Sequence, residues 1–359
     1  MHPQRFLDQL TADPDRAHCL AHVEELPARP AVLRPFPEDL PQVLIARLGL
    51  LGITGLYPHQ LEGLEALRTG RDVLLATGTA SGKSLVYQVA AAEAVLTHPK
   101  ATALFLFPTK ALARDQLRAM RALKLPQVRA AVYDGDTPRG ERPLIRRNAN
   151  LVLTNPDMLH LSLLADHARW GDFLLRLSLV VVDEAHVLRG VFGSHVAMVL
   201  RRLRRLVSLH GGDPRWCLAS ATVGNPHELA AGLTGLDVDV IDVDAAPRGR
   251  KLFALWNPPI VDDETGARRS ALAEASTLMT NLVDDGARSI GFARSRRAAE
   301  LLADFTRRGV ADATARTKIR AYRAGYLAED RRAIERQLAD GELVAVAATS
   351  ALELGIDIG

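Results

Sequence analysis

The sequence predicts an α/β fold made of two successive parallel sheets, each covered by helices, in a chain of 359 residues. Two observations carry that expectation. Short apolar runs recur with little polar alternation and are separated by amphipathic helical stretches, which is how strands buried on both faces of a parallel sheet read. The series then breaks at a proline-containing, mixed-charge stretch and starts again near Ser270, as two domains of ordinary size would.

Residues 1–40 are irregular, with Pro27, Pro30, Pro35 and Pro37 close together, and are expected to be a partly helical accessory segment. Residues 41–246 are expected to form the first domain. Its strands are Asp72–Ala76, Ala103–Phe107, Leu151–Thr154, Leu179–Val182 and Trp216–Ala219, with helices over Leu85–Leu96 and Ala111–Ala122. Residues 247–268, with Pro247, Pro258 and Pro259, are expected to be a linker. Residues 269–359 are expected to be the second domain, with strands at Ser289–Phe292, Lys318–Tyr322 and Leu343–Ala348 and helices at Arg297–Arg308 and Glu329–Asp340.

About half of the residues are hydrophobic and a quarter charged, an ordinary balance for a globular protein. The net charge of +3 is compatible with nucleic acid without demanding it. Cys19 and Cys217 are too few for a zinc site of their own. The default is two free thiols in a cytoplasmic setting, and no apolar stretch approaches a membrane span.

Thr77-Gly-Thr-Ala-Ser-Gly-Lys-Ser84 follows a strand and opens a helix, the context of a phosphate-binding loop. The backbone of Thr79, Ala80, Ser81 and Gly82 is expected to turn its N–H groups toward phosphates at a helix N-terminus. Lys83 would reach the outer phosphates of ATP, and the Ser84 hydroxyl would hold Mg²⁺. Thr77 stands where the strict pattern has glycine.

Asp183-Glu-Ala-His186 follows the Leu179–Val182 strand, so Asp183 is expected at the carboxyl end of a parallel strand, where such sheets bind ligands. Asp183 would hold Mg²⁺, and Glu184 would orient and deprotonate the attacking water. His186 reads either as a coupling residue or as a packed histidine.

In order along the chain, these motifs resemble superfamily 2 helicases of the DEAD/DEAH-box type. Tyr57-Pro-His-Gln60 is similar to the adenine-reading motif, with Tyr57 and Gln60 as its nucleotide contacts. Thr77–Ser84 is similar to motif I, and Asp183–His186 spells motif II as DEAH. Pro108-Thr-Lys-Ala-Leu112 resembles motif Ia, Thr154-Asn-Pro-Asp157 motif Ib and Ser220-Ala-Thr222 motif III. Gly291-Phe-Ala-Arg-Ser295 resembles motif IV and Ala348–Asp357 motif V. The wording of several motifs is similar to the bacterial mitomycin-repair and RecQ-like subgroup.

The resemblance implies two RecA-like P-loop NTPase domains with ATP between them, the second incomplete. It implies an ATP-dependent DNA helicase moving 3′ to 5′ in DNA repair, with RNA helicase, duplex translocase or a nucleotide-gated clamp as alternatives. Pro108, Thr109, Lys110, Gln116, Thr154, Asn155, Pro156, Arg294, Thr349 and Ser350 are the implied nucleic-acid contacts. Each threonine reads equally as a helix cap or turn residue. Ser220 and Thr222 would relay the state of the ATP site, and Gly355 and Asp357 would approach the nucleotide. Arg201-Arg-Leu-Arg-Arg205 reads as a DNA patch or as a solvated helix face. The family pattern continues to a motif VI, Gln-x-x-Gly-Arg-x-Gly-Arg, and no such segment stands in residues 1–359. ATP binding is therefore expected to survive better than turnover.

Overall fold

Strands β1 Leu20–Leu26, β2 Val73–Leu75, β3 Thr102–Leu106, β4 Ala130–Val132, β5 Leu151–Thr154, β6 Leu177–Val182, β7 Arg215–Ala219 and β8 Asp239–Ile241 come first in the chain. They are followed by β9 Lys251–Trp256, β10 Ile260–Asp262, β11 Ala267–Arg268, β12 Ser289–Phe292, β13 Ile319–Tyr322 and β14 Ala345–Ala348. The structure is a computed structural model and describes residues 3–349 and Leu352. Arg29–Arg248 form one unit, and the described residues up to Ala28 form another with those from Gly249 onward.

In the Arg29–Arg248 unit seven strands lie in the order β4-β5-β3-β6-β7-β2-β8, every neighbouring pair parallel. Both faces are dry, and this explains the unbroken apolar runs. Along β3, Ala103 and Phe105 enter one core while Leu104 and Leu106 enter the other; along β6, Leu179 and Val181 face one core and Val180 and Val182 the other. The first core is capped by helices Gln42–Leu50, Pro58–Arg68, Lys83–Thr97 and Lys110–Ala122, the second chiefly by Gly190–Leu209 and Pro226–Thr234. The order places the carboxyl ends of β6, β7 and β2 side by side, with those of β3 and β5 continuing along the same edge.

The second unit holds a parallel three-stranded sheet, β12-β14-β13. Helices Ala271–Asp284 and Arg296–Gly309 cover one face through Met279, Leu302 and Ala303. Gly291 owes its identity to this packing: a Cβ there would lie 2.4 Å from Met279 Sδ and 2.8 Å from Leu302 Cδ2.

Two segments differ from the sequence expectation. Residues 247–268 contain β9, β10 and β11, and β9 pairs antiparallel with β1. Residues 3–28 pack with the second unit, because Glu274, 2% exposed, gathers Arg16, Arg269 (2.9 Å) and Trp256 Nε1 (3.0 Å). A buried carboxylate requires such partners. Removing it strands two guanidiniums that keep partial access to water. Glu274→Ala is therefore expected to cost about 2 kcal/mol in urea unfolding, below the ~3–5 kcal/mol of a fully buried pair broken from one side. A loss below about 0.5 kcal/mol, the scale of an exposed pair, would contradict that role.

Candidate functional site

The loop after β2 is held shut by its own lysine. Lys83 Nζ donates to Thr77 O (2.9 Å) and Gly78 O (2.6 Å), and the hydroxyls of Thr77 and Ser81 meet at 2.7 Å. Gly82 takes φ +78°, and a Cβ on it would lie 2.4 Å from Gln60 Nε2, so the position excludes any side chain. Thr79 and Ala80 are exposed, and Ala80 also has positive φ (59°). Burial pushes the Lys83 amine below its ordinary range, against the pull of Glu184, Asp183 and Asp244.

Gln60 is 3% exposed and bridges two backbones: Tyr57 N donates to its Oε1 (2.8 Å), and its Nε2 donates to Gly82 O (2.9 Å). The Tyr57 ring stacks beside His59 at 6.0 Å. His59 forms a second strut that sequence reasoning passed over. Its Nδ1 accepts from Ala245 N (3.3 Å), which leaves the proton on Nε2 to donate to Ser81 O (3.0 Å). Burial lowers the His59 pKa and so favours this neutral ring. The Ala245 turn is clamped in turn by Arg29, whose guanidinium reaches Ala246 O (2.7 Å) and Asp244 Oδ1 (3.0 Å).

At the end of β6, Asp183 is 7% exposed. The Tyr87 hydroxyl donates to its Oδ2 and Glu184 N to its Oδ1, both at 2.9 Å. Its carboxyl is pushed up to about 6, first by burial and then by the charge of Glu184. Burial also raises Glu184, with Lys83 opposing. Glu184 adopts φ +52°, a left-handed conformation unusual outside glycine. Tyr87 was absent from the sequence expectation, although it lies one turn beyond Ser84 on the same helix face. Its hydroxyl donates to Asp183, and so ties the helix that Lys83 and Ser84 open to the end of β6.

Because the folded protein raises Asp183 above the ordinary 3.8, it holds that proton more tightly than the unfolded chain does. The stability this contributes is present below about pH 4 and is lost as pH rises through about 6. In a chelator, Asp183→Asn is therefore expected to melt above the unsubstituted chain at pH 7.5. The gap should close toward pH 4. Parallel melting curves across that range would remove Asp183 as their source.

His186 Nδ1 lies 3.2 Å from Ala221 N and 3.4 Å from Glu184 Oε2. A neutral Nδ1 accepts from the amide, whereas only a protonated one pairs with the carboxylate, so the two contacts exclude each other. The amide is nearer, and the neutral ring joins the end of β6 to the Ser220–Thr222 segment. Ser220 is fully buried, and its hydroxyl donates to Ala221 O (2.8 Å), while Thr222 is exposed.

The expected nucleic-acid residues divide by burial. Thr109 caps helix Lys110–Ala122 by accepting from Leu112 N (3.3 Å), and Asn155 caps the next short helix by accepting from Met158 N (2.9 Å). Both stay partly accessible beside Pro108, while Pro156 is buried. Lys110 pairs with Asp136. Two of the expected residues are buried. Thr154, 1% exposed, spends its hydroxyl on Tyr133 O (2.6 Å), and Gln116, 8% exposed, accepts from Gln88 Nε2 (2.6 Å). Both hydroxyl and amide oxygen are thus engaged within the unit. In the second unit Arg294 is exposed, and Thr349 is buried with its amide on Tyr322 O (3.1 Å). Ser350, Gly355 and Asp357 lie outside the described residues. The four arginines of 201–205 divide likewise: Arg202 and Arg204 donate to Leu164 O (3.1 Å) and Thr234 O (2.8 Å), whereas Arg205 is exposed.

Residues 57–229 match the family model of the DEAD/DEAH box helicases. The chain is 39% identical to an uncharacterised ATP-dependent helicase of Bacillus subtilis, YprA, over 99% of this chain and 48% of that protein. It is 43% identical to the ATP-dependent helicase HRQ1 of Saccharomyces cerevisiae, over 84% of this chain and 29% of that one. The crystal structure of the DUF1998 helicase MrfA bound to DNA and AMPPNP superposes with a TM-score of 0.91 at 39% identity, covering 98% of this chain and 49% of that one. The chain thus spans half or less of the length of these three relatives. The DEAD-box helicase Mss116 shares the RecA-like fold at 14% identity and a TM-score of 0.69, covering 91% of this chain and 69% of that one.

Proposed function

The chain carries a DEAD/DEAH box helicase domain over residues 57–229, and from that premise we propose an ATP-driven motor that moves on DNA. One observation carries the reading. The carboxyl ends of β2, β7 and β6 bring Lys83, Ser220 and Asp183–Glu184 to adjacent positions on one sheet edge, and Thr109 and Asn155 follow on β3 and β5 of that edge. Phosphate chemistry and strand grip would share one rigid element. Gln88 and Gln116 join the loop helix to the helix capped by Thr109, and offer a path between them.

The residues fit a magnesium nucleotide. Tyr87 ties Asp183 to the helix that begins at Lys83 and Ser84, and burial together with the Glu184 charge raises the Asp183 carboxyl, a cost that a bound cation would offset. Mg²⁺ would be held by Ser84 and Asp183 and would supply charge neutralisation to the phosphates. Lys83 would exchange its loop carbonyls for phosphate oxygens. Glu184 would take the proton of the attacking water, and His186 would report that change to Ala221. Thr109, Lys110, Asn155 and Arg294 would grip sugar-phosphate without reading bases.

DNA is favoured over RNA because MrfA, a relative of high identity, is a DNA-bound helicase. Movement 3′ to 5′ in DNA repair is supported by the resemblance to mitomycin-repair and RecQ-like motifs. Both cysteines are buried free thiols, and among the described residues no helix is long and apolar enough to cross a membrane; we place the motor in the cytoplasm. The deciding measurement is ATP hydrolysis with and without single-stranded DNA. The motor requires a rate that rises on adding DNA, and a rate indifferent to DNA and RNA alike would overturn it.

A further inference from the structure

The amino-terminal edge of the same sheet, opposite the motifs, carries a groove of about 940 Å³ that the proposed motor does not use. Lys100, Arg129, Arg146, Arg147, Arg169 and Arg176 line it. Asp172 lines it too, and Asp166 approaches Arg169 (3.4 Å) and Arg146 (3.8 Å). Four net positive charges remain after both carboxylates are counted, more than the +3 of the whole chain. Among the described residues Lys100, Arg147 and Arg176 are exposed and have no ion-pair partner, so folding does not account for their charge.

The cations come from segments that precede β3, β4, β5 and β6, which are consecutive neighbours in the order β4-β5-β3-β6. Strands lie about 4.8 Å apart, so the lip spans about 14 Å. A phosphodiester strand in a duplex places a phosphate every ~3.4 Å along the axis, or about four across that lip, which matches the net charge.

The lining also indicates which nucleic acid fits. Proteins that hold single strands stack the bases on aromatic side chains. Two aromatic rings line this groove: Phe173 is 5% exposed and belongs to the core beneath, and the His210 imidazole is engaged by His167 (3.0 Å). Charge without a stacking platform suits a duplex, whose bases are already stacked away from the backbone. An acidic polypeptide would require the apolar, charge-poor centre of a protein interface. Here six of the lining side chains are cationic, and Leu144 and Leu175 are the exposed large apolar side chains of the lining.

We propose that this groove is a second DNA site, separate from the motor motifs, that holds the backbone of duplex DNA without reading its sequence. The test is fluorescence anisotropy with a blunt duplex of about 20 base pairs over a salt series, using the triple variant Lys100→Glu, Arg147→Glu, Arg176→Glu. The expected result is a loss of about tenfold or more in affinity at low salt and a log–log salt slope shallower by about two to three. ATP hydrolysis without nucleic acid should be unchanged, since none of the three touches the loop or the acids. The control is Arg71→Glu, Arg121→Glu, Arg205→Glu, exposed cations outside the groove. Unchanged duplex affinity in the groove variant overturns the proposal. So does an equal loss in the control, which would reduce the effect to overall charge. A variant that loses poly-L-glutamate but keeps the duplex would overturn it in favour of an acidic polypeptide. If the reversals prevent folding, the alanine triple at the same positions is read on the same scale, with a smaller shift in the same direction.

Discussion

Glu184→Gln is expected to reduce ATP turnover by about 10²–10⁴-fold, the span of a lost general base. The substitution keeps size and hydrogen-bonding reach and removes only the ability to take a proton. Folding should not suffer. The Glu184 charge is the second cause that raises Asp183, so its removal eases ionisation of the buried partner and leaves the melting temperature equal or higher. Nucleotide affinity should stay within a few-fold for the same reason, because Lys83, Ser84 and Asp183 are untouched. The readout is single-turnover ATP hydrolysis beside equilibrium binding of a fluorescent ATP analogue. Turnover within about tenfold of the unsubstituted chain would deny Glu184 the base role. A parallel collapse of binding would recast it as a structural residue, whose positive φ then serves only the turn.

What could be read before the structure, and what could not, follows from how far apart the partners lie in the chain. The loop, the DEAH segment and the strands that carry them are contiguous, and local pattern was enough to find them. Alternation of β3 and β6 between two cores accounts for the apolar runs from which a parallel sheet was inferred. Tyr87 was within reach, three residues after Ser84. His59 stood inside a quoted motif, yet its role depends on Ala245, brought alongside by β8 from 186 residues away. The burial of Thr154 and Gln116 was not legible, because a polar residue in a motif does not announce it; Tyr133 and Gln88 supply their partners. Residues 3–28 gave no local hint of their destination, since Arg16 meets Glu274 across 258 positions.

Lys83→Ala is expected to lower ATP turnover by about 10²–10³-fold, as loss of one preorganised charge donor at a reacting group does. Unlike Glu184→Gln, it should also weaken nucleotide binding by about tenfold or more, a loss of at least ~1.4 kcal/mol. Three effects combine. The loop loses the two bonds from Nζ to Thr77 O and Gly78 O, the phosphates lose a counter-charge, and the acids lose the cation that opposes their burial. The last effect has a sign that separates it from simple loosening of the loop. Without the Lys83 charge, Asp183 and Glu184 keep their protons to higher pH, so the acid limb of the residual activity should move upward. Lys83→Arg tests the remainder. It retains charge, and should restore the position of the acid limb, but its planar fork cannot reproduce a compact ammonium between two carbonyls. Its turnover should therefore stay well below that of the unsubstituted chain. If Lys83→Ala instead melts early yet binds nucleotide normally, the lysine is a tether of the loop alone, and the phosphate role belongs to the backbone N–H groups of Thr79–Gly82.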